Sequence, residues 1–265
     1  MPSFSSLIWQ FYKANKRPLP WRENPTPYHV FVSEIMLQQT QAPRVIPKFN
    51  AFIKTFPDFN SLAKASLSKV LKEWQGLGYN RRALYLKQSA EIIVSKYAGK
   101  LPDDPEALDE LPGIGHYTTH AIVAFAFNKP TVFIETNIRS VFIHHFFKNS
   151  RDKVADSKIL PLIEKHLDHT QPREWYGALM DYGAHLKSTE INPSRKSSHH
   201  VRQSKFKGSN RELRGKILKY ILENGPSKQK ELSKINTDTK KVSQCVSDLI
   251  KEGLLKKNKN GIEIR

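Results

Sequence analysis

The stretch Leu111-Pro112-Gly113-Ile114-Gly115-His116-Tyr117 is the most informative segment of the chain. Its Pro-Gly-x-Gly pattern predicts a tight turn that opens an apolar helix. The first amides and the dipole of such a helix favour an anion at that end. Glu135 follows eighteen residues after Tyr117, where the chain turns back. Together these features predict either a phosphate held beside a buried carboxylate, or a capped helix with an unrelated surface glutamate.

The charge of the chain favours a polyanionic partner. Over 265 residues, 43 Lys and Arg face 25 Asp and Glu, giving a formal net charge of +18. So large an excess points to nucleic acid, although a solvated cationic surface is the simpler alternative. Hydrophobic residues make up 38% of the chain, which is enough to build the core of one large domain or two smaller ones.

Cysteine usage and hydropathy narrow the class of protein further. Cys245 is the single cysteine, which excludes an intramolecular disulfide framework and any multi-cysteine metal site. Residues 2–9 lack the pattern of a signal peptide, and the apolar run 121–127 is too short to span a bilayer. The pair His199-His200 lies among basic residues and is expected to be solvated. We therefore expect a soluble, cytoplasmic or nucleoid-associated monomer with no membrane partner and no metal site built from side chains.

Positive charge is concentrated near the end of the chain. From His185 onward, 20 Lys and Arg face 8 Asp and Glu, and apolar residues nearly vanish between 188 and 209. We therefore predict a first domain over 1–187, a basic linker over 188–209 and a second domain over 210–265.

The apolar spacing before the linker is helical almost throughout, which predicts an all-α domain of many short helices. Pro18, Pro20, Pro25 and Pro27 interrupt this pattern early and predict an extended loop.

The last segment predicts a different unit. Three helices, 211–224, 228–234 and 240–251, precede two short strands around Asn260-Gly261, a strong hairpin signal. Three helices and a hairpin predict a small winged helix-turn-helix of the α+β class, with the third helix as the groove reader. A protein-interaction or dimerisation module is the alternative.

Glu34 is a candidate acid. It lies among Val, Ile, Met and Leu on a predicted helix, so burial would raise the pKa of its carboxyl group toward neutrality. An exposed helical glutamate is the alternative. The amide pair Gln38-Gln39 one turn later and the segment 19–22 upstream favour a functional role.

Five motifs occur in the order found in helix-hairpin-helix base-excision DNA glycosylases. The chain resembles that superfamily over roughly residues 4–186, and within it the MutY-type adenine glycosylases most. The motifs are Leu19-Pro20-Trp21-Arg22, Ser33-Glu34-Ile35-Met36-Leu37-Gln38-Gln39-Thr40-Gln41, Gly76-Leu77-Gly78-Tyr79, Leu111-Pro112-Gly113-Ile114-Gly115 and Met180-Asp181-Tyr182-Gly183-Ala184.

The resemblance implies roles for these residues. Glu34 corresponds to the acid/base that protonates the leaving purine and then positions water. Gln39 and Tyr79 correspond to residues that wedge into the duplex once the target base is extruded. The implied base pocket and wedge comprise Trp21, Arg22, Leu37, Gln38, Gln39 and Tyr79.

The resemblance also implies which residues bind the DNA phosphates. Gly113 and Gly115 correspond to the hairpin whose amides hold a phosphate, often with a monovalent cation. His116 and the pair Arg81-Arg82 are added as phosphate contacts, with packing or a solvated helix start as the alternatives. Tyr117 stands where bifunctional relatives place a Schiff-base lysine, which implies a monofunctional glycosylase.

The chemistry of the proposed reaction agrees with two carboxylates. Breaking an N-glycosidic bond builds positive charge on the sugar, which a fixed carboxylate such as Glu135 would stabilise. The leaving base needs a proton, which a second carboxyl group with a raised pKa, such as that of Glu34, would supply. Glu34, Glu135 and Tyr117 are therefore the predicted catalytic residues.

Three departures from the family pattern matter. The family has Asp where this chain has Glu135, and a shift of roughly 1 Å costs on the order of 10²-fold in rate. The four cysteines of an iron–sulfur cluster are missing, so we expect no such cofactor. Gly177 lies where adenine-reading relatives carry Glu or Gln, and we expect the winged helix in place of the usual carboxy-terminal domain that recognises 8-oxoguanine.

The expected function is a monofunctional DNA glycosylase acting on duplex DNA that contains a mispaired or damaged base. Adenine opposite G or 8-oxoguanine is the first expectation for the substrate. Thymine or uracil opposite G is the alternative, because Gly177 removes the adenine-reading group. A non-catalytic DNA-binding protein on the same scaffold is the third reading, prompted by Glu135 and the missing cluster.

Overall fold

The structure is a computed structural model that describes residues 2–189, 191–201 and 203–265. The chain forms two compact units, each assembled from separate segments. Of the described residues, the first comprises those in 2–34, 103–110 and 114–201, and the second comprises 35–102, 111–113 and 203–265. Residues 203–265 thus group with 35–102, and the domains over 1–187 and 210–265 stay a prediction.

The described residues are mostly helical, as the apolar spacing predicts. The α-helices are α1 Phe4–Asn15, α2 Pro20–Glu23, α3 Pro27–Leu37, α4 Ala42–Thr55, α5 Phe59–Lys64, α6 Leu67–Trp74, α7 Arg81–Tyr97, α8 Pro105–Asp109, α9 His116–Phe127, α10 Thr136–Phe146, α11 Asp156–Lys165, α12 Pro172–Thr189, α13 Asn210–Asn224, α14 Gln229–Leu232 and α15 Thr239–Lys251. Short 3₁₀ helices cover Pro193–Lys196 and Ser233–Ile235, and strands β1 Leu255–Asn258 and β2 Gly261–Ile264 form one antiparallel pair.

Local capping explains where several helices begin. The Ser3, Ser66 and Ser209 hydroxyls and the Asp58 carboxylate each accept a bond from an amide of the first turn. Such caps satisfy amides that have no partner within the helix.

In the first unit, α10 and α1 both pack on α12. Trp175, Tyr176, Phe31 and Phe142 are fully buried there. In the second unit, α7 packs on α5 and α6, and the core includes Trp74, Phe52 and Leu86. The C-terminal helix α13 also packs against α6 within this unit.

Two local predictions were wrong. Pro20 does not extend the chain but occupies the first position of α2, where its missing N–H costs nothing and its fixed φ suits a helix. In the hairpin, Asn258 pairs with Gly261, so the turn consists of Lys259-Asn260 and Gly261 opens β2 at φ +136°. A Cβ at Gly261 would lie 2.7 Å from the Ser227 carbonyl oxygen, so this glycine serves a close backbone approach.

The first half of the predicted linker is anchored in the first unit rather than solvated. Ser194 and Ser197 are buried, and Ser197 pairs with Val154 in an isolated bridge. The Lys196 ammonium donates to the Lys148 carbonyl oxygen. The segment therefore continues the packing of the first unit beyond α12. Among the described residues, no helix is long and apolar enough to cross a membrane.

Candidate active site

The turn before α9 has the geometry that its glycines predict. Gly113 adopts φ +77°, and a Cβ there would lie 2.7 Å from the Tyr85 ring. Gly115 caps α9 without a side chain, and both Gly115 and His116 are exposed. The turn therefore presents the first amides of an apolar helix at the surface, the arrangement that suits an anion.

Glu135 is the N-cap of α10. Its carboxylate accepts hydrogen bonds from the Asn137 amide at 2.5 Å, the Ile138 amide at 2.9 Å and the Asn137 side chain at 3.2 Å. Burial raises the pKa of Glu135, while the two amides and the positive charge of Lys187 oppose that rise. Although Glu135 has one methylene more than Asp, its carboxylate is held at a fixed position by these hydrogen bonds to the first turn of α10.

Glu34 lies in the last turn of α3 and is only 9% exposed. Burial, together with the negative charge of Glu135, raises its pKa from 4.5 to about 7, and Arg22 partly opposes the rise. A carboxyl group with such a pKa is protonated in half of the molecules near neutral pH, which suits a general acid.

Tyr117 shares this site with both carboxylates. Burial raises the pKa of its hydroxyl group well above the ordinary value, and the charges of Glu34 and Glu135 raise it further. Its ring contacts Phe133, with 5.7 Å between centroids. Tyr117 therefore stays a neutral phenol that can donate a hydrogen bond. The structure brings the three predicted catalytic residues into one site within the first unit.

Arg22 is held in place by Asp181, a residue whose role the sequence reading missed. The Arg22 guanidinium donates to both Asp181 oxygens, at 2.9 and 3.0 Å. Asp181, 3% exposed, also accepts from Nε of Arg17 at 2.6 Å and from the Arg17 amide at 3.0 Å. Asp181 lies in the Met-Asp-Tyr-Gly-Ala motif, so the motif was visible although its partners were not. Trp21, beside Arg22, is buried.

Gly177 faces polar groups rather than open space. A Cβ at this position would lie 3.0 Å from the Tyr12 hydroxyl and 3.8 Å from the Arg22 guanidinium carbon. The Tyr12 hydroxyl donates to Glu174 at 2.7 Å. Tyr12 thus occupies space that a longer side chain at position 177 would need.

Gly183 allows α12 to approach the N-terminus of α10. A Cβ there would lie 2.3 Å from the Asn137 carbonyl oxygen, a distance that no side chain tolerates. We expect Gly183→Ala to push Asn137, and with it the Glu135 carboxylate, out of position. The expected cost is about 10²-fold in the rate of a reaction that uses this carboxylate and about 1–3 kcal/mol in the free energy of unfolding, measured by single-turnover kinetics and urea denaturation.

Gly215 provides the matched control for that substitution. It also lies inside a helix, α13, but an added Cβ would meet nothing within 4 Å. Gly215→Ala is expected to leave that rate unchanged and to stabilise the fold by about 0.4–1 kcal/mol. Equal effects of the two substitutions would contradict the proposed close approach at Gly183.

Other predicted site residues lie in the second unit. Gln39 and Tyr79 both have positive φ, at +54° and +46°, a region that is uncommon for residues other than glycine. Leu37 and Gln38 are half-buried, and the Gln38 side-chain amide donates to the Gly113 carbonyl oxygen at 3.2 Å. Such strained positions often occur at functional sites.

The two adjacent arginines of α7 differ. Arg81 is exposed and lies over the Tyr85 ring, 5.0 Å from its centroid. Arg82 is 7% exposed and donates to six acceptors. The acceptors are the carbonyl oxygens of Ile35, Met36, Gln38, Leu77 and Gly78 and the Thr40 hydroxyl. This burial argues against a phosphate contact: Arg82 instead joins the segments that carry Gln39 and Tyr79.

The residues do not fit an iron–sulfur cluster. Thiolates hold such clusters, typically four of them, and the one cysteine, Cys245, is buried on α15 in the second unit. Within 2–189, 191–201 and 203–265, no three His, Cys, Asp or Glu side chains are grouped to hold a metal ion. His199 lies 3.9 Å from Asp156, which is already paired with Arg139.

Comparison with known proteins places the chain in a family. Residues 32–164 match the family model described as HhH-GPD superfamily base excision DNA repair protein. The chain belongs to this superfamily. It therefore has the helix-hairpin-helix fold that the Leu-Pro-Gly-Ile-Gly motif predicts.

Individual relatives agree with this assignment. The chain is 34% identical to an adenine DNA glycosylase of Buchnera aphidicola over 72% of its own length, but it spans only 54% of that protein. It is 30% identical to an adenine DNA glycosylase of Mycolicibacterium smegmatis over 96% of its length, covering 92% of that protein. Among solved structures, a thermostable thymine-DNA glycosylase superposes with a TM-score of 0.62 at 29% identity, over 68% of this chain and 84% of that one.

Proposed function

We propose that this protein is a monofunctional DNA glycosylase that hydrolyses the N-glycosidic bond of an extruded, mispaired base, adenine opposite G or 8-oxoguanine first. The observation that carries the proposal is the pair of carboxyl groups in one site, Glu34 buried with a pKa near 7 and Glu135 fixed by amides. The adenine glycosylase relatives support adenine as the base.

The two carboxyl groups have different roles in the proposed reaction. Protonated Glu34 donates its proton to the base, the C1′–N bond breaks with its electrons leaving on the base, and positive charge develops on the sugar. Ionised Glu135 stabilises that charge. Water then attacks C1′ and passes its proton to the Glu34 carboxylate, which regenerates the acid.

Tyr117 fits hydrolysis rather than covalent catalysis. Its hydroxyl has a pKa well above the ordinary value, so it is a poor nucleophile that can nevertheless orient a water or a sugar oxygen. We therefore expect borohydride to trap no covalent protein–DNA complex during turnover.

The pH dependence of the chemical step follows from the two shifted pKa values. Glu34 must be protonated, so the rate falls as pH rises through about 7. Glu135 must be ionised, so the rate also falls as pH drops through its own raised pKa. We expect a bell-shaped single-turnover profile whose two limbs belong to the coupled pair. A rate that keeps rising above pH 8 would contradict Glu34 as the acid.

A panel of duplexes tests the reaction itself. The protein is incubated with A·G, A·8-oxoG, T·G, U·G and hypoxanthine pairs, and abasic sites are then cleaved with alkali. Product from the adenine pairs supports the first proposal. Tight, salt-sensitive binding without product on any duplex would support a non-catalytic DNA-binding protein instead.

Thymine or uracil opposite G is the second candidate substrate. Gly177 supplies no base-contacting side chain, and Tyr12 and Arg22 fill the space beside it. The similarity to a thermostable thymine-DNA glycosylase also favours this reading. Product from T·G or U·G alone, with none from the adenine pairs, would establish it over adenine.

The DNA-binding surface is proposed from the same residues. Gly113, Gly115, His116 and Arg81 are the proposed phosphate contacts, and a monovalent cation at the turn fits the family resemblance. We propose that α13–α15 with the β1–β2 hairpin form a winged helix-turn-helix, since their order and the antiparallel pairing match that pattern. The protein is proposed to act as a monomer on double-stranded DNA.

A further inference from the structure

A cleft of about 400 Å³ lies within the second unit. Its walls come from four parts of the chain: the turn after α3, residues 79–85 around the start of α7, Gly113, and the C-terminal segment. Gln38 and Gln39 line the cleft from the turn after α3, and Tyr79 lines it from the segment just before α7. Arg211 and Arg214 line it from α13. The volume is that of a pocket for one small ligand, such as a nucleotide.

Arg211 connects the C-terminal segment to Tyr79. The guanidinium donates to the Tyr79 hydroxyl at 2.7 Å, and its carbon lies 5.2 Å from the centroid of that ring. Gln203 donates to the same hydroxyl, also at 2.7 Å. Arg82 lies 5.4 Å from the ring centroid. Tyr79, strained at φ +46°, is thus held by residues from distant parts of the sequence.

The charges in the cleft suit a nucleotide. Arg214 is paired with Glu252, and Arg82 is committed to backbone carbonyl oxygens. Arg81 and Arg211 therefore remain as the cationic groups best placed for a ligand. A guanidinium carries five N–H donors, so Arg211 can bind a ligand while it keeps contacts to Tyr79 or Ser204. An arginine fork matches the O6 and N7 acceptors of guanine. In 8-oxoguanine N7 carries a proton and donates, so there a guanidinium N–H can donate only to a carbonyl oxygen such as O6.

We propose that this cleft binds the nucleotide opposite the extruded base, and that Arg211 is a specificity-determining residue for guanine or 8-oxoguanine there. The inference rests on the proposed function, in which Gln39 and Tyr79 fill the space that the extruded base leaves in the duplex. The base nearest to such a wedge is the unpaired partner. The C-terminal segment then takes part in reading the lesion instead of acting as a separate DNA reader.

The test measures binding without requiring excision. Duplexes carry a tetrahydrofuran abasic analogue opposite G, 8-oxoG, C or T, and their affinities for wild type and Arg211→Gln are compared at one salt concentration. Lys219→Gln is the matched control, because it removes one positive charge from the same helix at an exposed position outside the cleft.

Wild type is expected to prefer G or 8-oxoG, and Arg211→Gln to lose about ten-fold in affinity for those duplexes while C and T change little. Lys219→Gln should weaken all four duplexes equally. The proposal would be overturned if wild type bound all four duplexes with equal affinity, or if Arg211→Gln kept the wild-type preference for G and 8-oxoG. It would also be overturned if both variants changed the four affinities in the same way. Selective binding without excision of any base would refute the glycosylase function and leave this site standing.

Discussion

Glu34→Gln is expected to abolish base excision while the protein still binds DNA. The amide cannot donate a proton to the leaving base, and loss of a general acid costs about 10²–10⁴-fold in rate. The substitution nearly preserves the shape of a buried side chain, so affinity for a duplex with an abasic analogue should stay near that of wild type. Single-turnover kinetics and fluorescence anisotropy measure the two quantities.

The same substitution should stabilise the fold at alkaline pH. Because the folded-state pKa of Glu34 is raised from 4.5 to about 7, protonated Glu34 favours the native state, and this contribution is lost as pH rises through 7. A shift of this size corresponds to about 3 kcal/mol. Relative to wild type, Glu34→Gln should therefore gain up to about 3 kcal/mol in unfolding free energy between pH 5 and pH 8.

Two outcomes would contradict this account of Glu34. Substantial excision by Glu34→Gln would show that another group protonates the base. A difference in unfolding free energy that is the same at pH 5 and pH 8 would show that the carboxyl group titrates at its ordinary pKa. The excision assay tests whether Glu34 is the acid, and urea denaturation at the two pH values tests whether burial raises its pKa.

Asp181→Asn is expected to cause the largest loss of stability. The carboxylate is 1% exposed and binds the guanidinium groups of Arg17 and Arg22. Removing its charge breaks the ion pair with the Arg22 guanidinium, which is only 12% exposed. Breaking a buried pair in this way costs about 3–5 kcal/mol. Urea denaturation at pH 7 measures the change.

Glu91→Gln is the control for Asp181→Asn. It also removes a carboxylate from an ion pair, Lys87–Glu91 at 2.6 Å, but Glu91 is 49% exposed. Water and salt screen such a pair, so the expected cost is below about 1 kcal/mol. If both variants lost the same stability, Asp181 would not be the buried anchor of Arg22 that its contacts indicate.

Helix positions could largely be predicted from sequence because apolar spacing and capping are local properties. The helices predicted over 211–224 and 240–251 lie within one residue of α13 and α15, and the turn at Gly113 has the positive φ that its glycine allows. The prediction at Pro20 failed because proline is compatible with both a loop and a first helical turn. The 3₁₀ helix Pro193–Lys196 was not predicted because its polar side chains indicate an exposed loop, although Pro193 and Ser194 are buried.

The motif spacing by itself determined the superfamily and named Glu34, Glu135 and Tyr117. A spacing specifies residue types along the chain, and those types limit the chemistry. It could not specify that Asp181 anchors Arg22 or that Arg82 is buried, since burial and partners depend on segments far apart in sequence. Nor could it join Arg211 to Tyr79, 132 residues away. Tertiary packing alone decided these contacts, because desolvation and ion pairing arise only when such segments meet.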